Sequence, residues 1–437
     1  MTNSLRWPAG PSGKVLIELF QKFACRRQEM KLKIKNIIVF SCILLLVSLS
    51  CRDAAAKDKI DPQLWAKDQK IHREAVVVDT HCDTPMVIMG KDVDLGQRLQ
   101  KGEVDFIRMK EGGLDASFFA VFVSNRLDKK HPSRKAFEMI DEIYNQVDKH
   151  PDLAEIARSP ADIRRLDRAG KRAILIGMEN GGPIEDSLRL LRNYYRLGVR
   201  YITLTHGSHN DICDSSTGGA PKWNGLSKFG EDVVKEMNRL GMIIDVSHIS
   251  DEAFWDVLGV SAAPVFASHS CVRAICDVPR NLTDDMIKAL ARKNGVVQIN
   301  FYSAFLDEEF KRKSAAAEKK MRPQVEKLRE KYKDNRNEFW NAVLALAKKH
   351  GPPAPPIDSL MDHIDHIVKL VGVDYVGLGS DFDGAGSFPQ GLEDVGGFPL
   401  ITYHLLERGY KEEDIKKILG GNFLRFFEDV IAAAKNR

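Results

Sequence analysis

From Ala75 onward the chain has no Pro-, Gly- or Ser-rich linker dividing its apolar runs into domains, the Gly351–Pro356 stretch only closing a helical insertion, and it has no Cys-x-x-Cys pair and no excess of positive charge. The missing linker argues against a string of small domains. The missing Cys-x-x-Cys spacing removes zinc knuckles and thioredoxin-like motifs, although the chain has seven cysteines. The charge balance removes an electrostatic footprint for nucleic acid. Residues 1–35 carry eight Lys/Arg against Glu18 and Glu29, so the formal +4 of the whole chain becomes about −2 beyond them. With 437 residues, 43% hydrophobic and 29% charged, the composition is that of a globular protein with a large core.

Long apolar runs are scarce as well. The one that stands out, Ile37–Leu49, is short for a comfortable membrane span. It follows the basic stretch Met30-Lys31-Leu32-Lys33-Ile34-Lys35 and leads into Ser48-Leu49-Ser50-Cys51. This resembles a bacterial lipoprotein signal, in which Cys51 is lipidated and becomes the first mature residue. Ser48 stands where such signals usually have a larger aliphatic residue, and a plain secretory signal or an uncleaved anchor helix are the other readings. The expected organisation is a leader over 1–50, with 1–29 upstream of a true start at Met30, a tether over 51–70 and one domain over 71–433. A helical insertion is expected at 304–356. The expected location is the cell envelope, either membrane-anchored by lipid or periplasmic. Disulfides involving Cys213, Cys271 and Cys276 are open in an exported protein.

Eight short apolar runs are present, most of them followed by an amphipathic segment: Val76–His81, Ala116–Ser124, Ala173–Glu179, Tyr201–His206, Met242–His248, Pro264–His269, Val296–Tyr302 and Tyr375–Asp381. The alternation predicts βα units on one parallel sheet, and eight units predict a (β/α)₈ TIM barrel. An open doubly wound sheet is the structural runner-up. Asp186–Leu197 and Phe229–Leu240 have helical periodicity and stop at Gly198 and Gly241. Asp307–His350 is densely charged and helical in composition, inserted after strand seven; residues 411–433 read as a closing helix packed through Phe423, Phe426 and Phe427.

Seven of the eight runs end in His81, Glu179, His206, His248, His269, Tyr302 and Asp381. Barrel enzymes carry their chemistry at the carboxyl ends of strands. His81 and Asp83, two apart, point the same way. With Glu179, His248 and His269 they make the set of hard and borderline donors that a two-metal hydrolase needs, and the glycines beside Glu179 suit it as the bridging carboxylate.

Several segments together resemble the membrane (renal-type) dipeptidase family of the amidohydrolase superfamily: Asp79–Pro85, Gly177–Gly182, Leu204–His206, Ile244–Ile249, Ala267–His269, Pro279–Asn281, Asn300–Tyr302, Gly379–Gly384 and Gly391–Asp394. The resemblance implies two Zn²⁺ per chain, one on His81, Asp83 and Glu179 and the other on Glu179, His248 and His269. It implies that a hydroxide bridging the metals attacks the scissile carbonyl of a dipeptide. Asp381 would move the proton to the leaving amine, and His206 would donate to the oxyanion. Arg280 suits the substrate's free carboxylate, and Tyr302 lines the same pocket. A homodimer is common in that family, and the lipid at Cys51 would hold this chain to the membrane by its N-terminus.

His209, Asn210 and Asp211 read as a polar loop after strand four; Cys82, alternating with its neighbours, reads as packing. His363 and His366, beside Asp362 and Asp365, read as surface pairs on a helix. Two rivals remain at this level. One is another amidohydrolase acting on a cyclic amide, lactone or β-lactam, against which stands the lack of a lysine before His206. The other is a non-catalytic peptide-binding lipoprotein, against which stands the intact donor set.

Overall fold

The computed structural model describes residues 60–89, 92–125, 130–333 and 335–435, so the leader and Cys51 lie outside the described residues. Eight parallel strands pair in sequence order: β1 (Val78–Cys82), β2 (Ala116–Phe122), β3 (Arg172–Glu179), β4 (Val199–Thr203), β5 (Ile243–Asp245), β6 (Phe266–Ala267), β7 (Val296–Ile299) and β8 (Val376–Leu378). A further short strand, Ala154–Ile156, pairs beside β3. The ring closes between β8 and β1. There Cys82 bridges Phe382, the Asp83 N–H donates to Phe382 O at 2.7 Å, and the Asp381 N–H donates to His81 O at 3.0 Å. The TIM barrel read from the eight runs is the observed fold, and the open-sheet alternative falls.

The strands form where apolar and β-branched residues leave no wet face; β3 is buried along its whole length. The lower barrel interior is filled by Val78, Phe118, Leu175, Tyr201 and Phe266, with Phe423, Phe426 and Phe427 packed against them. The last three belong to the C-terminal helix Asn422–Lys435, so the expected closing helix plugs one end of the barrel. The connecting helices carry the expected punctuation. Lys228–Leu240, for example, is N-capped by Ser227 Oγ, which accepts from the Gly230 N–H, and stops at Gly241 with φ 71°.

Four expectations change. Residues 62–70, read as part of the tether, belong to the helix Pro62–Glu74. That helix docks through a Trp65–Tyr403 ring contact at 5.9 Å and through His72, whose Nδ1 lies 2.8 Å from Thr402 Oγ1. His363 is fully buried, not on the surface; its ring bridges Val272 N and Leu306 O at 3.0 Å each. The four cysteines of the described residues, Cys82, Cys213, Cys271 and Cys276, are all free and buried. Finally, several of the apolar runs outlast their strands. The ladders stop at Thr203, Asp245 and Ala267, two or three residues before His206, His248 and His269, because the chain must leave the ladder to turn these rings inward. His248 does so with φ 70° and Asp381 with φ 65°.

The insertion is a hairpin of two helices, Glu308–Lys331 and Arg336–His350. Phe310 and Met321 are its only buried side chains among the described residues.

Candidate active site

Glu179 is the last residue of β3 and projects into the ring of strand ends. Its Oε1 lies 3.0 Å from His248 Nε2, 3.5 Å from His269 Nε2, 3.6 Å from His206 Nε2 and 3.8 Å from His81 Nε2. The backbone that aims it is fixed by amides. Asn180, with φ 74°, donates through Nδ2 to Val123 O at 2.6 Å and Asn125 Oδ1 at 2.8 Å, and Asn210 Nδ2 donates back to Asn180 Oδ1 at 3.1 Å.

His81 and Asp83 share a face as their spacing requires, with Nε2 3.5 Å from Asp83 Oδ2. Cys82 between them turns away, its Sγ 3.4 Å from Ser117 Oγ. The His81 and His269 rings stack at 3.8 Å, and His248 and His269 meet at 2.9 Å between their Nε2 atoms. Four of the residues singled out from the sequence as metal ligands, His81, Asp83, His248 and His269, therefore converge around the fifth, Glu179.

The donor chemistry fits a divalent cation. His81 Nε2 and Asp83 Oδ1 are buried with no hydrogen-bond partner. Three triads bring ligand atoms within 4.8 Å: His81, Glu179 and His269; Glu179, His206 and His248; His81, Asp83 and Asp381. Ligand atoms each about 2 Å from one tetrahedral ion lie about 3.3 Å apart, which is close to the His81–Asp83 and Glu179–His269 separations. Burial, reinforced by Asp83 and Asp381, pushes the Glu179 carboxyl well above its ordinary range. Burial, with the nearby Arg280 cation, pushes His248 and His269 well below theirs, so both rings are neutral and keep a lone pair. Against the effect of burial, the Glu179 and Asp83 carboxylates lift His81 to about 10, so the site favours positive charge at that ring. Crowded carboxylates beside the neutral His248 and His269 rings make a cation receptacle.

Asp381 follows β8, and its Oδ2 accepts from Asn300 Nδ2 at 2.8 Å. Burial and the neighbouring Asp83 lift its carboxyl to about 7, against the pull of His81. Asp383 faces elsewhere, accepting from Thr84 Oγ1 and the Glu103 N–H at 2.7 Å each. His206 packs on Phe122 with ring centroids 4.6 Å apart; burial and Arg280 lower it to about 4, so it is neutral. Arg280 is 6% exposed. It donates from Nη2 to His269 O at 3.0 Å and from Nη1 to Ser270 Oγ at 3.3 Å, and its Nε has no partner. Tyr302 lies three residues beyond β7, ahead of the short helix Ser303–Leu306, and is edge-on to Phe305 at 4.9 Å. The guanidinium of Arg280 lies 5.4 Å from that same Phe305 ring. The loop His209–Asp211 lines a cavity of about 580 Å³ with Asn125, Gly181 and Lys222.

A supporting layer escaped the sequence reading. Asp79 straps β8 to β1 by accepting from the Ser380 N–H at 2.8 Å and its hydroxyl at 2.7 Å. Ser268 Oγ lies 2.7 Å from His269 Nδ1 and donates to Asp245 Oδ2 at 2.6 Å. Tyr201 Oη lies 2.8 Å from His81 Nδ1. For Asp79 and Asp245 the available signal was a carboxylate set inside an apolar strand run; Tyr201 offered none.

Comparison with known proteins agrees with this geometry. The family model described as membrane dipeptidase, peptidase family M19, matches residues 65–437. Over 380 residues the chain is 32% identical to Dipeptidase 3 of Mus musculus, covering 85% of this chain and 67% of that protein. Among solved structures it is similar to the probable dipeptidase PvdM from Pseudomonas aeruginosa, with a TM-score of 0.72 and 28% identity, covering 86% of this chain and 100% of that one. It is also similar to dipeptidase AC, a metallopeptidase of family M19, with a TM-score of 0.67 and 25% identity, over 81% and 98% of the two chains.

Proposed function

The chain belongs to the membrane dipeptidase family, a family of metallopeptidases, and on that premise we propose that it cleaves dipeptides with two zinc ions bridged by Glu179. The observation that carries this reading is the single Glu179 oxygen with four histidine Nε2 atoms 3.0–3.8 Å away. His81, Asp83 and Glu179 would hold one ion, and Glu179, His248 and His269 the other. Bound there, zinc would polarise the scissile carbonyl and furnish hydroxide at neutral pH.

The remaining groups divide the work. Asp381, oriented by Asn300, takes the proton released by the attacking water and returns it to the leaving amine; a carboxyl lifted to about 7 suits both tasks. His206, neutral and partly exposed, donates a hydrogen bond to the carbonyl oxygen as negative charge develops on it. Arg280 receives the substrate's free carboxylate. It has no carboxylate within ion-pair distance among the described residues, and a buried guanidinium without a counter-ion is costly until a ligand supplies one. Tyr302 forms part of the wall on that side.

The proposal extends to the N-terminus: export, lipidation of Cys51 and a short tether ahead of Pro62, supported by the basic-then-apolar leader and Ser50-Cys51. Mass spectrometry of the mature N-terminus tests that part, and an unmodified Cys51 would overturn it. For the enzyme itself, the test is elemental analysis joined to cleavage of a panel of glycine-containing dipeptides before and after chelation. About two zinc per chain with chelator-sensitive cleavage is expected; metal without cleavage of any dipeptide overturns the substrate assignment.

A further inference from the structure

We propose that Tyr201 is a positioning residue of the metal centre, whose hydroxyl accepts the Nδ1–H of His81 and so leaves Nε2 as the ligand atom. The inference rests on the two-zinc reading above and adds to it the device that sets the His81 tautomer.

Both side chains are fully buried, and Tyr201 Oη lies 2.8 Å from His81 Nδ1. On the other side of the ring, Nε2 has no hydrogen-bond partner; its nearest carboxylate oxygens, on Asp83 and Glu179, stand 3.5 and 3.8 Å away. Those separations exceed the 2.7–3.2 Å of an ordinary N–H···O bond. A proton on Nε2 would sit in a dry cavity without an acceptor, whereas a proton on Nδ1 has the phenol oxygen. A ring that ligates a cation must be neutral and carries one proton, so placing that proton on Nδ1 leaves the Nε2 lone pair for the ion.

The barrel is shaped to hold this contact. Tyr201 on β4 pairs in register with Gly177 on β3. A Cβ at position 177 would lie 2.2 Å from Tyr201 Cζ and 2.6 Å from its Oη. The absence of a side chain at 177 is what admits the ring. Phe118 and Phe266 flank it at 5.0 and 5.6 Å between centroids, which fixes its direction. His269 has an equivalent support of different chemistry: Ser268 Oγ at its Nδ1, backed by the Asp245 carboxylate. Thus each of these two rings has its Nδ1 occupied by a hydroxyl and its Nε2 turned to Glu179.

The test uses Tyr201→Phe, which keeps the ring and its packing and deletes only the hydroxyl. Zinc affinity is read by competition with a chromophoric chelator, alongside circular dichroism to confirm the fold. The expected result is a loss of about 10-fold or more in the affinity of one of the two ions, the range typical of outer-shell partners. Gly177→Ala, which displaces the ring while keeping the hydroxyl, is expected to weaken the same ion. A second readout needs no variant: ¹⁵N NMR of the zinc-loaded protein is expected to show His81 protonated at Nδ1. Two ions held by Tyr201→Phe as tightly as by the unmodified chain would overturn the role of Tyr201 and leave the zinc reading intact; His81 protonated at Nε2 would overturn that role and also remove His81 from the zinc ligands. Failure of the unmodified chain to bind two zinc ions would instead remove the premise.

Discussion

Arg280 and His269 are tied together: the guanidinium Nη2 donates to the His269 carbonyl oxygen at 3.0 Å. The group proposed to grip the substrate's carboxylate is thereby anchored to the backbone of a proposed zinc ligand, with the bond from Nη1 to Ser270 Oγ at 3.3 Å beside it.

Replacing Arg280 by Ala should therefore act on peptide recognition before it acts on metal. Truncating one partner of a buried charged contact costs about 2–5 kcal/mol, so kcat/KM should fall by roughly 30- to 5000-fold with zinc content unchanged. Dipeptide amides, which lack the carboxylate, should be poor substrates of the unmodified chain and should lose little further in Arg280→Ala. Steady-state kinetics on a matched acid and amide pair checks this; equal losses on both would refute the carboxylate role.

Asp381→Asn should lower kcat by about 10²–10⁴-fold, the usual worth of a positioned acid–base group, while KM and zinc content stay near their original values. Asn300→Ala, which removes the 2.8 Å donor to Asp381 Oδ2, should lower kcat in the same direction by a smaller factor. If Asp381→Asn instead lost zinc, Asp381 would be a ligand and not the proton carrier.

The buried His363 should make the fold sensitive to mild acid. Its Nδ1 accepts from the Val272 N–H and its Nε2–H donates to Leu306 O, a pair of bonds only the neutral ring can make. Burial lowers it from 6.5 to about 4. The unfolded chain then takes up this proton below about 6.5, while the folded chain resists until about 4. The contribution is complete above 6.5, declines as pH falls and is gone below 4, amounting to about 3 kcal/mol at most. Asp115, raised to about 6 by burial, works in the opposite sense, so the informative quantity is a difference. Urea unfolding from pH 7.5 to 4 should show a shallower acid loss in His363→Gln than in the unmodified chain, and parallel curves would contradict the assignment.

Hydrogen exchange should separate the two ends of the molecule. No described side chain of Arg336–His350 is buried, whereas Asn422–Lys435 buries Phe423, Leu424, Phe426, Phe427 and Val430. Amides of the former helix should exchange by local opening, well before those of the latter. Comparable protection in both would mean that the hairpin has a packing partner.

What could be read from the sequence was whatever stood where two patterns broke. His81, Glu179, His248, His269 and Asp381 each interrupt an apolar run, and the interruptions fall at equivalent places in successive βα units, so fold and metal cluster emerged together. Tyr201 broke nothing. An aromatic residue inside a strand run is ordinary packing until His81, 120 residues earlier, is known to meet its hydroxyl. His363 misled for a related reason. Its acidic neighbours suggested a wet face, yet it shares the inner face of its helix with Leu360, Ile364 and Ile367. The helix Pro62–Glu74 was hidden by its polar composition, since only Asp68, Ile71 and His72 are buried in it.

The most direct measurement is a crystal of the zinc-loaded chain with anomalous difference maps collected on either side of the zinc edge. Two peaks flanking the Glu179 carboxylate, one beside His81 and Asp83 and one beside His248 and His269, are required by the two-zinc centre. A single peak, or peaks that leave Glu179 untouched, would contradict it.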